Sequence, residues 1–145
     1  MALQFESSQV IDRSIDKVFR FFAVEHVRNH PRWDSDIELE LEFDGPIGVG
    51  TIIRRRNSRS GTFVEGTMEV VEFEPNQRFG VVIHEGPVEA RGWIAFEALG
   101  DDQTNVTRGV ELPGMDESMD KSLLMSRMEE TGHVIKRLIE SEVEE

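Results

Sequence analysis

The run Arg54-Arg55-Arg56, followed by Arg59, is the densest positive charge in a chain whose formal net charge is −13. In a strand successive side chains alternate, so Arg54 and Arg56 share one face and Arg55 takes the other. Whichever way the strand is turned, at least one guanidinium points inward, where an unpaired charge is costly. Glu65 and Glu69, on the next segment, can partner across the ladder. Two readings stay open. One is an ion-pair ladder on the convex side, worth little per pair. The other is an arginine that anchors a ligand carboxylate or enolate. Arg108 poses the same question, because Val106, Val110 and Leu112 share its register and favour the inner face. A buried arginine there wants an acid or a bound polar group.

His26, His30, His84 and His133 are the only side chains that ordinarily change charge near neutrality. His26 and His30 stand four apart and can share a helical face as a metal pair would, but no third ligand follows at a recognisable spacing. Neither a metal nor another cofactor is expected. His84, beside Glu85 near a strand end, is a candidate acid or base at a cavity rim. His133 falls opposite an apolar stripe and is expected in solvent. Ser7 and Gln9, in register with Phe5 and Ile11, are candidate hydrogen-bonding groups inside an apolar pocket. Trp33 is expected to pack under short helices, and Trp93 can take either face.

Several chemistries are excluded. The chain has no cysteine, hence no disulfide, thiolate nucleophile or cysteine-based zinc site. There is no nucleophile elbow and no dinucleotide fingerprint, and Gly45, Gly48 and Gly50 precede a strand, the wrong context for a phosphate loop. Tyrosine is absent, which leaves arginine, glutamate, histidine and water for any acid–base step. The acidic charge opposes nucleic acid and anionic membrane surfaces. No apolar run is long enough to span a membrane, and no leader-like segment opens the chain. A cytoplasmic protein, monomeric or weakly dimeric and without stable membrane insertion, is expected.

The elements that must position these groups follow from periodicity. Residues 4–11 read as a strand. Ser14 caps a helix carrying Val18, Phe19, Phe21 and Phe22, and Pro31 is expected to break a second short helix begun at His26. Residues 36–43 alternate strictly, which sends Ile37, Leu39, Leu41 and Phe43 inward. Strands then follow at 51–57, 62–73, 78–84, 88–99 and 104–112, separated by turn signals about a dozen residues apart, which implies an antiparallel meander. Pro113-Gly114 is expected to end the sheet. From Glu117 to Glu145 the pattern is one amphipathic helix with a stripe of Leu124, Met128, Thr131, Ile135 and Leu138, flanked by Met125, Gly132 and Ile139. Glu140 falls off the stripe. Two methionines, a threonine and a glycine make a soft face, suited to lidding a cavity. The class is α+β: about seven strands in a curved antiparallel sheet around a long C-terminal helix, with two short helices after the first strand, in one domain spanning 1–145.

That order resembles the START-like helix-grip superfamily, which includes polyketide cyclases, lipid-transport domains and pathogenesis-related plant proteins. The resemblance is carried by residues 11–19, which open like the family's strand and capped helix, and by Pro31-Arg32-Trp33 before the second strand. Gly48-Val49-Gly50, residues 70–75 with Arg78-Phe79, and residues 102–107 continue it. It implies a cavity between sheet and helix, and alternation with helical spacing predicts that Ile37, Leu39, Leu41, Met125 and Met128 line it, with Ser7 and Gln9 as polar candidates. It implies binding or carriage of a small hydrophobic metabolite: a lipid, a polyketide or an aromatic compound. A polyketide cyclase or dehydratase is the alternative, with Arg54, Arg56 or Arg108 stabilising an enolate and Glu65, Glu69 or His84 moving the proton. A regulatory or cochaperone-like interaction module is a third reading.

Overall fold

The computed structural model describes residues 2–59, 61–116 and 121–142. Strand β1 (Ala2–Ile11) leads into α1 (Ile15–Phe19), a π-helical turn (Arg20–Val24) and α2 (His26–Trp33). Strands β2 (Ile37–Leu41), β3 (Ile52–Asn57), β4 (Val64–Glu74), β5 (Arg78–Glu85), β6 (Val88–Gly100) and β7 (Gln103–Asp116) precede α3 (Ser122–Glu142). The seven strands form one sheet in the order β1-β7-β6-β5-β4-β3-β2, antiparallel at each pairing. The meander therefore closes by bringing the first strand beside the last. The start of the C-terminal helix at Glu117 and its end at Glu145 lie outside the described residues.

The far end of the grip is an aromatic core. Phe19 meets Phe73 and Phe96 edge-on at 5.4 and 5.1 Å, and Phe22 meets Trp33 and Phe96. The π turn is how three consecutive residues, Phe21, Phe22 and Ala23, all become buried. Its wider winding is closed by the Glu25 N–H donating to the Arg20 carbonyl, five residues back, at 2.9 Å.

Three local expectations give way to tertiary demands, and β4 adds an irregularity of its own. Pro31 does not break α2, which runs on to Trp33. The missing N–H costs one hydrogen bond, and the last turn is held by Trp33 stacking on Phe21 and by the Asp34 N–H donating to the His30 carbonyl. Phe43 is exposed, because β2 ends at Leu41 and the chain leaves the sheet. In β4 the extra residue Val71 forms a bulge between Val70 and Glu72, which keeps Met68, Val70 and Phe73 on the core side despite their broken parity. Pro113 and Gly114 do not end β7, which continues past an irregularity in its pairing with β1.

The buried face of α3 is Met128, Gly132, Ile135 and Ile139, which keeps Met128 and Ile135 of the expected stripe and moves one position on from Thr131 and Leu138. The reason is its anchorage. Glu140 accepts from the Asp12 N–H at 2.8 Å and from Lys136 Nζ at 2.6 Å, and Lys136 also donates to the Val10 carbonyl. Arg32 pairs with Glu142. These contacts turn Ile139 inward and leave Leu138 half-buried. Ile139→Ala should cost about 2–4 kcal/mol of folding stability, as for other fully buried aliphatic truncations, and Leu138→Ala distinctly less. Urea unfolding of the two variants beside the parent checks the order.

Candidate functional site

Between the concave face of the sheet and α3 lies a cavity of about 410 Å³. Its apolar wall includes Phe5, Met68, Phe79, Val81, Ile83, Ile94 and Val110 from the sheet and Leu124 and Met128 from the helix. Two surface grooves have larger volumes, about 540 and 590 Å³. Their linings are about as polar as apolar, whereas the lining of the cavity under the helix is mostly apolar, which makes it the better home for an apolar ligand.

Three polar groups interrupt that wall. The first crosses three strands. Arg55 of β3, Gly66 of β4 and Glu85 of β5 lie in one register row. A Cβ at 66 would stand 2.0 Å from the His84 carbonyl oxygen, so the row has a gap there. Over this gap Arg55 Nε donates to Glu85 Oε2 at 2.5 Å, with both side chains nearly buried (9% and 14% exposed). Asn57 Nδ2 donates to the other carboxylate oxygen at 3.2 Å. One guanidinium atom, Arg55 Nη1, is buried with no partner among the described residues.

The second group is Arg108. Gly132 of α3 leaves room beside its guanidinium, and Arg108 Nη2 donates to the Met128 carbonyl at 2.6 Å. No carboxylate lies within salt-bridge reach of Arg108 among the described residues. Burial pulls it down to about 10, which still leaves it cationic at neutral pH.

The third is a histidine pair on α2. His26 Nδ1 donates to the Phe22 carbonyl at 2.7 Å, and His26 Nε2 lies 2.9 Å from His30 Nδ1. The His30 ring stacks on Trp33 at 5.1 Å and 13°. Desolvation, opposed by the Phe22 hydrogen bond and aided by the Arg55 charge, lowers His26 to about 4. His30 is held well below its usual value by burial, then by His26 and the nearby arginines. At the rim Arg59 donates to Asp34 at 2.5 Å, and Arg127 stands exposed. Arg55, Arg59, Arg108 and Arg127 thus face Glu85 and Asp34, giving an electropositive chamber inside an acidic protein.

Of the residues singled out from the sequence, Arg108 and Met128 line the cavity. Arg54 and Arg56 lie on the convex face, paired with Glu40 at 3.1 Å and Glu65 at 3.8 Å. Arg56 also covers Phe63. Glu69 is exposed, and His84 is exposed 3.9 Å from Glu89. Ile37, Leu39 and Leu41 point inward as alternation requires, but they stand away from the cavity, with Leu39 and Leu41 packed on the core. Ser7 and Gln9 lie beneath α3, where Gln9 approaches Gly132 and His133, and Met125 borders the groove past Gln4 and Lys121. Trp93 takes the convex side, seated over Gly109 and covered by Arg78.

Arg55, Glu85, His26 and His30 are the cavity groups that periodicity did not select. Glu85 continues the phase of Phe79, Val81 and Ile83, and Arg55 that of Ile53. That signal was present but masked by charges on both faces. Among the described residues no cluster of three or more histidine or acidic side chains could hold a metal, and no helix is long and apolar enough to cross a membrane.

No protein-family model matches the sequence, and no curated protein matches it. Solved structures do. The chain is similar to the crystal structure of Ara h 8.0201, at 14% identity and TM-score 0.74, covering 97% of this chain and 99% of that one. It is similar to the Zhui aromatase/cyclase of Streptomyces sp. R1128, at 12% identity and TM-score 0.73, covering 99% and 97%. A point mutant of norcoclaurine synthase from Thalictrum, in complex with a transition-state analogue, matches at 16% identity and TM-score 0.70, covering 97% and 96%. The chain has the START-like helix-grip fold expected from its sequence. At these identities the likeness is one of fold.

Two measurements test the polar interior. Unfolded histidine titrates near 6.5 while folded His26 titrates near 4, so only the unfolded state takes up the proton between them. Stability should be fully present above about pH 6.5 and fall toward pH 4, by up to about 1.4 kcal/mol per pH unit per histidine. Urea unfolding across that window should show a shallower slope in His26→Gln. Separately, Glu85→Leu strands the Arg55 charge and should cost about 3–5 kcal/mol, whereas the double change Arg55→Met with Glu85→Leu should recover most of it.

Proposed function

We propose that the protein binds a small hydrophobic ligand with an anionic or strongly polarised oxygen in the cavity beneath α3. The observation that carries this reading is Arg108, a buried cation with no carboxylate partner among the described residues, set in a mostly apolar wall interrupted by the Arg55–Glu85 pair and the histidine pair. The unpartnered Nη1 of Arg55 supports it, because a buried donor without an acceptor is costly until something accepts from it. The solved aromatase/cyclase and norcoclaurine synthase of like fold add support by analogy. A lipid acid, a polyketide or an aromatic acid meets the requirement. An open cavity of this size weighs against the interaction-module reading, which calls for an interior filled by side chains.

A cyclase or dehydratase is the second reading, favoured by the buried Arg55–Glu85 pair. Here Arg108 or Arg55 would stabilise an enolate and Glu85 or the histidine pair would move the proton. Arg54, Arg56, Glu65, Glu69 and His84 lie on the other side of the sheet from such a substrate. Proton NMR in deuterium oxide would test this reading: α-hydrogen exchange of a bound β-diketone should be accelerated by the parent and not by Glu85→Gln.

For the binding reading, calorimetry with 2-naphthoic acid is decisive. Arg108→Leu should weaken binding by about 1.5–3 kcal/mol, the worth of a hydrogen bond to a charged group. Arg108→Lys should recover only part, since the planar fork is lost. Arg54→Leu and Arg56→Leu should bind as the parent does, and an equal loss in those variants would mean a nonspecific charge effect.

A further inference from the structure

The proton positions on the histidine pair are fixed by their partners. A backbone carbonyl can only accept, so His26 Nδ1, 2.7 Å from the Phe22 oxygen, carries a hydrogen. A neutral imidazole has one N–H, so His26 Nε2 is bare and accepts from His30 Nδ1, 2.9 Å away. His30 has then spent its one hydrogen inward, and its Nε2 keeps a lone pair. No described group pairs with that atom, and it is not among the buried orphans. The atom is thus accessible, on a residue that lines the cavity. The other arrangement needs one imidazolium in the pair, which burial and the charges of Arg55, Arg59 and Arg108 oppose.

We propose that His30 Nε2 is a ligand-reading acceptor, so that the cavity selects an apolar acid or enol bearing an additional hydroxyl, whose O–H ends on this nitrogen. This rests on the binding reading above and adds the ligand's donor to its anionic oxygen. An ammonium donor is disfavoured, because the chamber already holds Arg55, Arg59, Arg108 and Arg127 against Glu85 and Asp34. The same positive surroundings favour an acidic hydroxyl, that of a phenol or an enol. Stacking on Trp33 and the hydrogen bond to His26 hold the imidazole in place, so little ordering entropy is lost when the hydroxyl binds. The device discriminates, because a ligand without the hydroxyl leaves the nitrogen desolvated and unpaired.

The experiment has two arms. Long-range nitrogen–proton correlation spectra of the uniformly 15N-labelled parent at neutral pH should show both His26 and His30 protonated on Nδ1 and bare on Nε2. A His30 carrying its proton on Nε2 overturns the inference. Calorimetry then compares 2-naphthoic acid with its 1-, 3-, 6- and 8-hydroxy derivatives. At least one derivative should bind about tenfold tighter than 2-naphthoic acid, the worth of one net hydrogen bond, and His30→Phe should cut that ratio to within about twofold. If 2-naphthoic acid binds and no hydroxy derivative exceeds it, the role of His30 is overturned while the cavity reading stands. If none of the acids binds the parent, the cavity reading itself falls. Should His30→Phe fail to fold, the spectra and the parent's affinity ratios decide alone.

Discussion

The bond from Arg55 to Glu85 passes over a strand that offers no side chain at the crossing point, and much of the interior is arranged around that fact. Gly66 is required because its strand lies too close to the His84 carbonyl for a Cβ, and it stands between Arg55 and Glu85 in the row that the ion pair crosses. The pair ties β3 to β5 across β4 and leaves polar atoms in a wall that Ile83, Met68 and Phe79 would otherwise make wholly apolar. A buried ion pair is weak evidence of stability, since hydrophobic residues of the same volume often serve as well. Its retention here is better understood as a feature of the chamber, where Arg55 supplies field as well as structure.

That field reaches α2. The Arg55 charge is one of the causes that keep His26 and His30 neutral, so a residue on the third strand helps set the protonation of two residues on a helix beyond it. Arg108 approaches from the opposite wall and is admitted by another missing side chain, that of Gly132. Two glycines on different elements thus make room for two guanidinium groups. The chain as a whole carries −13 while four arginines line the chamber, so an anionic ligand of the kind proposed would meet a repulsive exterior and an attractive interior. Uptake of such a ligand should therefore be helped by salt, which screens the exterior far more than a buried site.

The fold was legible because its signals are local and repeated. Strict alternation marked β2, turn residues punctuated the meander, and the 3.6-residue stripe marked α3. The misplacements have physical causes outside any single element. Phe43 follows β2 in alternation, but the chain leaves the sheet two residues earlier. The bulge at Val71 and the π turn at Arg20–Val24 shift the phase by one residue each. Part of the chamber lining was legible too: Arg108 and Met128, placed from register and stripe, are among its residues. Arg54 and Arg56 could not be told from Arg55, because β3 is charged on both faces and only Gly66, a strand away, decides which face can hold an ion pair. His26 and His30 satisfy the i, i+4 spacing of a metal pair. That spacing cannot show that one of them is turned onto the Phe22 carbonyl and the other onto its neighbour.

Trp33 gives the arrangement an optical consequence. The chain contains two tryptophans and no tyrosine, so its near-ultraviolet emission comes from two indoles in opposite settings. Trp93 packs its ring between Gly109 and the Arg78 guanidinium. Trp33 is a chamber wall, stacked against the His30 imidazole. Trp33 is therefore an intrinsic fluorophore in the chamber wall, through which occupancy of the proposed site can be followed in solution without any label.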